Sequence, residues 1–404
     1  MPRLVTSAPK LHRSGAASRA WPEPIAIALV AGAVYLATNV GRSAGRPDFY
    51  YLADAFIHGR LWLAAPLFPV DVVVIGDRTY LPFGPLMSIV LVPLVAVLGP
   101  AGASAYESVV NALMATASLA LVAVLLHRVA RLTATERFWL VLFLGFSTPI
   151  WWLVLNGGVW HEAQILALLI TLGFLVEAFG RRRPWLLGAL LGAAFLCRPP
   201  VILALPFAAW VVARDVVDPG DRLRRMATVA IAAAPAVVLA LWYNAARFGS
   251  PFESGYGLAA VPDFLAAQRA QGLFSLAHVP MNLDYLLWHL PRFRFSPAFI
   301  VPDGFGMSIA LTSPALILAA RADWRSRETL VLAGTCFLVL LPSLLYYGGG
   351  WFQFGYRYAL DFLPFTIPIL ARAIERSGLP RWGIALIVLG CAVNAAGVLW
   401  AHFG

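Results

Sequence analysis

The acids, histidines and arginines of this chain gather in a few short stretches between apolar runs, and four of those stretches could carry chemistry. In Gly45–Gly59 the spacing predicts a helix starting near Asp48. Phe49, Leu52, Ala53, Phe56 and Ile57 recur at i, i+3, i+4, i+7 and i+8, while Tyr50, Asp54 and His58 fall four apart on another side. Such a helix lies along a membrane surface with its apolar face in the lipid boundary. Asp48, at its positively polarised N-terminus, is either a helix cap or a general base for a hydroxyl proton; the two roles are compatible. Asp54 and His58 either face water or join Tyr51 at a substrate rim.

The second stretch is the short turn Trp160-His161-Glu162. With Asp48, its histidine and acid could ligate a divalent cation. Binding of sugar hydroxyls and a plain interfacial turn are the other readings. The third is Cys197-Arg198-Pro199-Pro200, where Arg198 would either hold a phosphate at membrane depth or satisfy carbonyls at a proline-broken turn. The fourth is a set of later cations, Arg292 and Arg294 in one long loop and Arg357 beside Tyr356 in another. Arg357 and Asp361 have the spacing of an i, i+4 pair.

These residues must be positioned by membrane helices. Of the 404 residues, 60% are hydrophobic and 12% charged, with a mean hydropathy of +0.77. A soluble chain keeps about a quarter of its residues charged. This composition specifies an all-α polytopic membrane protein, organised as a single domain over residues 1–404. The net charge of +10 is therefore read loop by loop, not as a nucleic-acid footprint. Three cysteines, Cys197, Cys336 and Cys391, lie in apolar segments and form neither a disulfide framework nor a CxxC metal pattern.

Apolar runs predict crossings near 22–40, 104–126, 138–155, 162–179, 185–197, 200–213, 227–246, 307–320, 329–347, 359–373 and 382–400. Residues 1–20 are basic and are read as preceding an uncleaved first span. Arginines collect at the N-terminus and at 128–137, 181–183, 214–225, 321–327 and 372–381. All of these share one side only if the proline-interrupted run Pro82–Gly99 dips in or lies flat. That solution has about eleven spans, the N-terminus cytoplasmic and the C-terminus outside. Pro184–Ala213 then becomes a hairpin with Arg198 at a recessed tip. Residues 41–103 and 247–306 become the first and the long external loops.

The order of features resembles the GT-C glycosyltransferases, in particular the branch of protein O-mannosyltransferases and the lipid A aminoarabinose transferase. Asp48-Phe49-x-Tyr51 is similar to the Asp-Glu-x-x-Tyr type of motif in the first external loop, with Phe49 in place of the second acid. Tyr80-Leu81-Pro82-Phe83-Gly84-Pro85-Leu86 is similar to a Lys-Pro-Pro-Leu segment without its lysine. Gly192-Ala193-Ala194-Phe195-Leu196-Cys197-Arg198-Pro199-Pro200 is similar to a Gly-Leu-Ala-Phe-Leu-Thr-Lys-Gly-Pro turn, with Arg for Lys.

The resemblance implies a GT-C type bundle with juxtamembrane helices in the first external loop. It implies transfer, with inversion, of a sugar from a polyprenyl-phosphate donor to an extracytoplasmic hydroxyl on a glycan, lipid or protein. Asp48 would be the base, facing across a pocket the donor phosphate held near Arg198. The resemblance names no certain cofactor and leaves dependence on a divalent cation open. The rival reading is a transporter or flippase of lipid-linked saccharides, which predicts internal repeats and charges spread near the midplane. The chain has no evident repeat, and its charges collect at one face.

Overall fold

A computed structural model describes residues 22–39, 45–64, 67–293 and 300–403. Helices dominate. They are α1 (Pro22–Asn39), α2 (Asp48–Ile57), α3 (Leu86–Ser104), α4 (Glu107–Val129), α5 (Ala134–Phe146), α6 (Ile150–Asn156), α7 (Glu162–Ala178) and α8 (Pro184–Cys197). There follow α9 (Leu205–Ala213), α10 (Pro219–Phe248), the short α11 (Asp263–Arg269), α12 (Val279–Leu283) and α13 (Ile309–Thr312), then α14 (Arg327–Leu345), α15 (Leu363–Ser377) and α16 (Arg381–Phe403). Among the described residues, three two-stranded pairings occur in the loops. One of them, Phe305–Met307 with Gln353–Gly355, is parallel and ties the long loop to the stretch before α15.

Among the described residues, five helices are long and apolar enough to cross a membrane, or six if the pair α5 and α6, bent by 44°, is one span. The chain is a multi-pass membrane protein. The expected set of about eleven crossings exceeds this number because several of its members are short or broken helices, among them α8 with 14 residues and α9 with 9.

The arginine clusters within the described residues meet on one face. Arg182 pairs with Asp215, Arg214 with Glu328 at 2.8 Å, Arg372 with Glu328 at 3.3 Å, and the Arg131 N–H donates to Glu375 at 2.8 Å. The Arg182–Asp215 pair brings together the two ends of the segment 183–214. Its chain therefore runs out along α8 and back along a 3₁₀ turn (Pro199–Ala204) and α9, with Arg198 at the far end. Next to it, α10 packs along α8 at a Gly188-x-x-x-Gly192 stripe. A Cβ at Gly188 would run into the Val229 carbonyl oxygen, and one at Gly192 would lie 2.9 Å from the Ala236 methyl. Gly188→Val therefore pries the two helices apart, at a cost of about 1–3 kcal/mol. A lowered thermal midpoint in detergent is the expected result.

Helix α3 passes the test of length, yet both its ends sit on the face opposite the arginines. Near its start, Gly84 presses against the Leu196 carbonyl at the hairpin tip. Past its end, Glu107 accepts the Gly158 N–H at the entrance to α7. Gly99, at φ 68° and ψ 167°, breaks the helix late in its course.

The placement of α2 is a correction to the sequence reading. Most of its apolar stripe does not face lipid: Phe49, Leu52 and Ala53 are 0% exposed, and Phe49 and Ala53 share a core with Met87, Leu91 and Val95 of α3, while only Ile57 at the end of the stripe is exposed. The periodicity was that of a helix buried against protein, and periodicity alone does not distinguish the two partners.

Candidate functional site

On the face opposite the arginines, five segments converge on one cavity of about 420 Å³. The first loop supplies Val70 and Asp71, and the start of α7 supplies Trp160 and Gln164. The hairpin tip contributes Phe195, Arg198 and Ile202, and the long loop contributes Tyr256 and Phe274. The end of α14 and the stretch after it add Tyr346, Tyr347, Arg357 and Tyr358. The chemistry is divided: charges and hydroxyls line one part of the wall, aliphatic and aromatic groups the rest.

The acid on this wall is Asp71, which sequence reasoning passed over. It holds a left-handed conformation, φ 57°, that Asp adopts more readily than most residues. Its N–H donates to the Ala260 carbonyl at 2.8 Å, and its Oδ2 accepts from Trp160 Nε1 at 2.7 Å. Burial pushes its pKa upward, against the pull of the Trp160 hydrogen bond and the Arg46 and Arg357 guanidiniums. A half-buried carboxylate so held, on a cavity wall, has the position and basicity of a general base. A rate profile governed by it loses activity as pH falls through this raised pKa, because only the ionised form accepts a proton. The acidic limb of kcat/KM is expected above the usual aspartate range and should vanish in Asp71→Asn.

Asp48, expected to face Arg198 across the pocket, lies behind the wall. It is 0% exposed, and Arg46 Nε reaches its Oδ2 at 2.9 Å. Arg46 in turn donates to the Val70 carbonyl at 3.1 Å and is sandwiched between the rings of Phe68 and Trp160, at 4.7 and 4.8 Å. Asp48 thus reaches the cavity only through Arg46, which braces the Val70–Asp71 segment. The signal for this was local: an arginine two residues before the acid.

Arg198 does line the cavity, at the hairpin tip. Its guanidinium is engaged by Asp361 through two bonds, Nε–Oδ1 at 3.0 Å and Nη2–Oδ2 at 2.6 Å. The expected Arg357–Asp361 pair is therefore not formed: a 3₁₀ turn over Arg357–Asp361 replaces the α-helix that i, i+4 spacing requires. Arg357 is instead 8% exposed, donates through Nη1 to the Trp160 carbonyl at 2.7 Å, and leaves its Nε without a partner. It has no carboxylate in ion-pair contact among the described residues. The Tyr358 ring lies 5.2 Å from both guanidinium carbons, of Arg198 and of Arg357. Tyr256, whose hydroxyl is pushed up to about 12 by burial, stays a donor at neutral pH.

The other expected site residues fall elsewhere. Tyr51 packs in a side cluster with Leu52 and Ala55. Asp54 pairs with His58 at 3.6 Å and Arg60 at 3.7 Å, away from the cavity. Trp160 is on the wall, but His161 is buried with Nδ1 2.6 Å from the Gly157 carbonyl, and Glu162 accepts from Tyr50 at 3.1 Å. Tyr356 is fully buried beneath the wall. Arg292 is largely exposed and pairs with Asp303 at 2.7 Å. Arg294 lies outside the described residues. Asp48, His161 and Glu162 do not form a metal centre: no group of three ligating side chains among the described residues is placed to hold one, although His161 Nε2 and Glu162 Oε2 are buried without a hydrogen-bond partner.

No family model and no curated protein matches the chain. Among solved structures, the Archaeoglobus fulgidus oligosaccharyltransferase, crystallised with a tethered acceptor peptide, aligns over 94% of this chain at 14% identity and a TM-score of 0.47. This chain covers 55% of the length of that one.

Proposed function

We propose that the protein is an integral membrane glycosyltransferase, transferring a sugar from a polyprenyl-phosphate donor to an acceptor hydroxyl with inversion. The observation that carries this reading is the pairing, on one cavity, of a basic carboxylate with a guanidinium that has no carboxylate in ion-pair contact among the described residues, beside an apolar wall. The donor's phosphate is held by Arg357, whose fixed charge stabilises the leaving group as the glycosidic bond breaks. Asp71 accepts the proton of the acceptor hydroxyl, the oxygen attacks the anomeric carbon, and the lipid phosphate departs on the opposite side. The tyrosines and Trp160 stack on and hydrogen-bond the sugar. Arg198, neutralised by Asp361, shapes the pocket instead of binding the anion.

The cavity lies on the face opposite the arginines. The positive-inside rule then puts it outside the cytoplasm, with the N-terminus inside and about eleven crossings when the short helices are counted. The test is transfer of a radiolabelled sugar from polyprenyl phosphate to a hydroxyl acceptor by the purified protein in nanodiscs. We expect labelled acceptor and free lipid phosphate with the wild type and neither with Arg357→Ala. Movement of intact donor between leaflets of proteoliposomes, with no bond broken, would instead mark a flippase.

A further inference from the structure

The long external loop carries a second feature, independent of the cavity chemistry. Residues 276–288 form a continuous helical stretch: a 3₁₀ turn (Leu276–His278), α12, and a π-helical turn (Asp284–Trp288). Its inner side is clear, since His278, Asn282 and Leu286, spaced by four, are all buried. Its outer side is not covered by protein. Leu276 is 79% exposed, Trp288 63% and Leu290 60%.

The height of this stretch is set by the helices that it bridges. The Ser275 N–H donates to the Leu345 carbonyl at 2.8 Å, and Asn282 Nδ2 donates to the Leu344 and Tyr346 carbonyls at 3.0 and 2.8 Å. All three acceptors lie at the last turn of α14, one of the candidate spans. At the other end the Ser308 N–H donates to the His289 carbonyl at 2.9 Å, directly before α13. The stretch therefore lies across the ends of two apolar segments, not above them. The α14 helix to which it is tied also exposes apolar side chains, with Leu330 and Phe337 51% and 57% exposed. Asp284, the one acid on the outer side, is paired with His289 at 3.0 Å.

We infer that the helical stretch 276–288, with Leu290 just after it, lies in the membrane plane, seated in the headgroup and acyl boundary of the outer leaflet. Leu276, Trp288 and Leu290 are its lipid anchors. The helical backbone satisfies its own N–H and C=O groups, which a segment at that depth requires. A Trp with flanking leucines suits the boundary, where amphipathic rings gather. The sequence assigned this role to α2; the fold gives it to the long loop.

Spin labels decide the matter. Nitroxides at Leu276→Cys and Trp288→Cys, in nanodiscs of phosphatidylcholine and phosphatidylglycerol, should collide more with oxygen than with an aqueous nickel chelate. A label at Asp77→Cys, in the exposed turn between Val73–Ile75 and Arg78–Tyr80, should show the opposite order. Wild-type protein taken through the same labelling supplies the blank for the native cysteines. All the positions are exposed, so folding is not at stake, and Leu290→Cys replaces either label if expression fails. Nickel collisions at 276 and 288 equal to those at 77 would place the stretch in water or under a soluble partner, and overturn the assignment.

Discussion

Asp71→Asn is expected to lower the rate of sugar transfer by about 10²–10⁴-fold, the usual contribution of a positioned general base, with little change in donor KM. The amide keeps the shape of the carboxylate and can still accept from Trp160 Nε1, so the loss reads proton transfer and not collapse of the wall. Single-turnover kinetics with labelled donor separates the two. The companion variant is Asp48→Asn, which leaves Asp71 in place but removes the partner of Arg46. Its effect should be smaller on the chemical step, and the acidic limb should persist in its pH profile, because Asp71 still titrates. The opposite outcome, an intact limb in Asp71→Asn and none in Asp48→Asn, would return the base to Asp48 and require Arg46 to swing aside.

The second large effect concerns the hairpin tip. Asp361→Asn strips the counter-ion from an arginine that is only 17% exposed. Leaving such a charge buried and unpaired costs about 3–5 kcal/mol, while removing both partners together costs far less. Asp361→Asn should therefore lower the thermal midpoint in nanodiscs strongly, and Arg198→Met with Asp361→Leu should recover most of the loss. Binding supplies a second readout. If Arg198 is structural, the double variant still binds donor phosphate through Arg357; if Arg198 is itself the phosphate ligand, binding is lost in the double variant as well.

Both predictions turn on facts of unequal legibility in the sequence. The arginine at a Pro-Pro break between two half-length apolar arms was readable, because hairpin geometry follows from charge at both ends and arms too short to cross. Its partner was not, since Asp361 lies 163 positions away and local spacing offered Arg357 instead. A 3₁₀ turn at that point reassigned the acid. Trp160 was chosen as an external aromatic and does stand on the cavity, but His161 and Glu162 beside it turn inward to Gly157 and Tyr50. Consecutive residues at a helix entrance point in different directions, so one turn cannot place all three on a single wall.

What the sequence determined by itself was the solvent and the layout. An apolar chain with so few charges belongs in lipid, and the positive-inside rule prefers its arginine clusters on one face. Only the tertiary structure decided which acid meets the cavity. Asp48 and Asp71 both belong to the first loop. The strip Arg46–Val70–Asp71, folded over Asp48 and clamped by Trp160, puts one carboxylate under the wall and the other on it. It likewise decided which amphipathic stretch faces lipid, because α2 found α3 to bury its stripe while residues 276–288 found a partner only for their inner side. Periodicity reports that a face is apolar; what covers that face depends on segments far away in the chain.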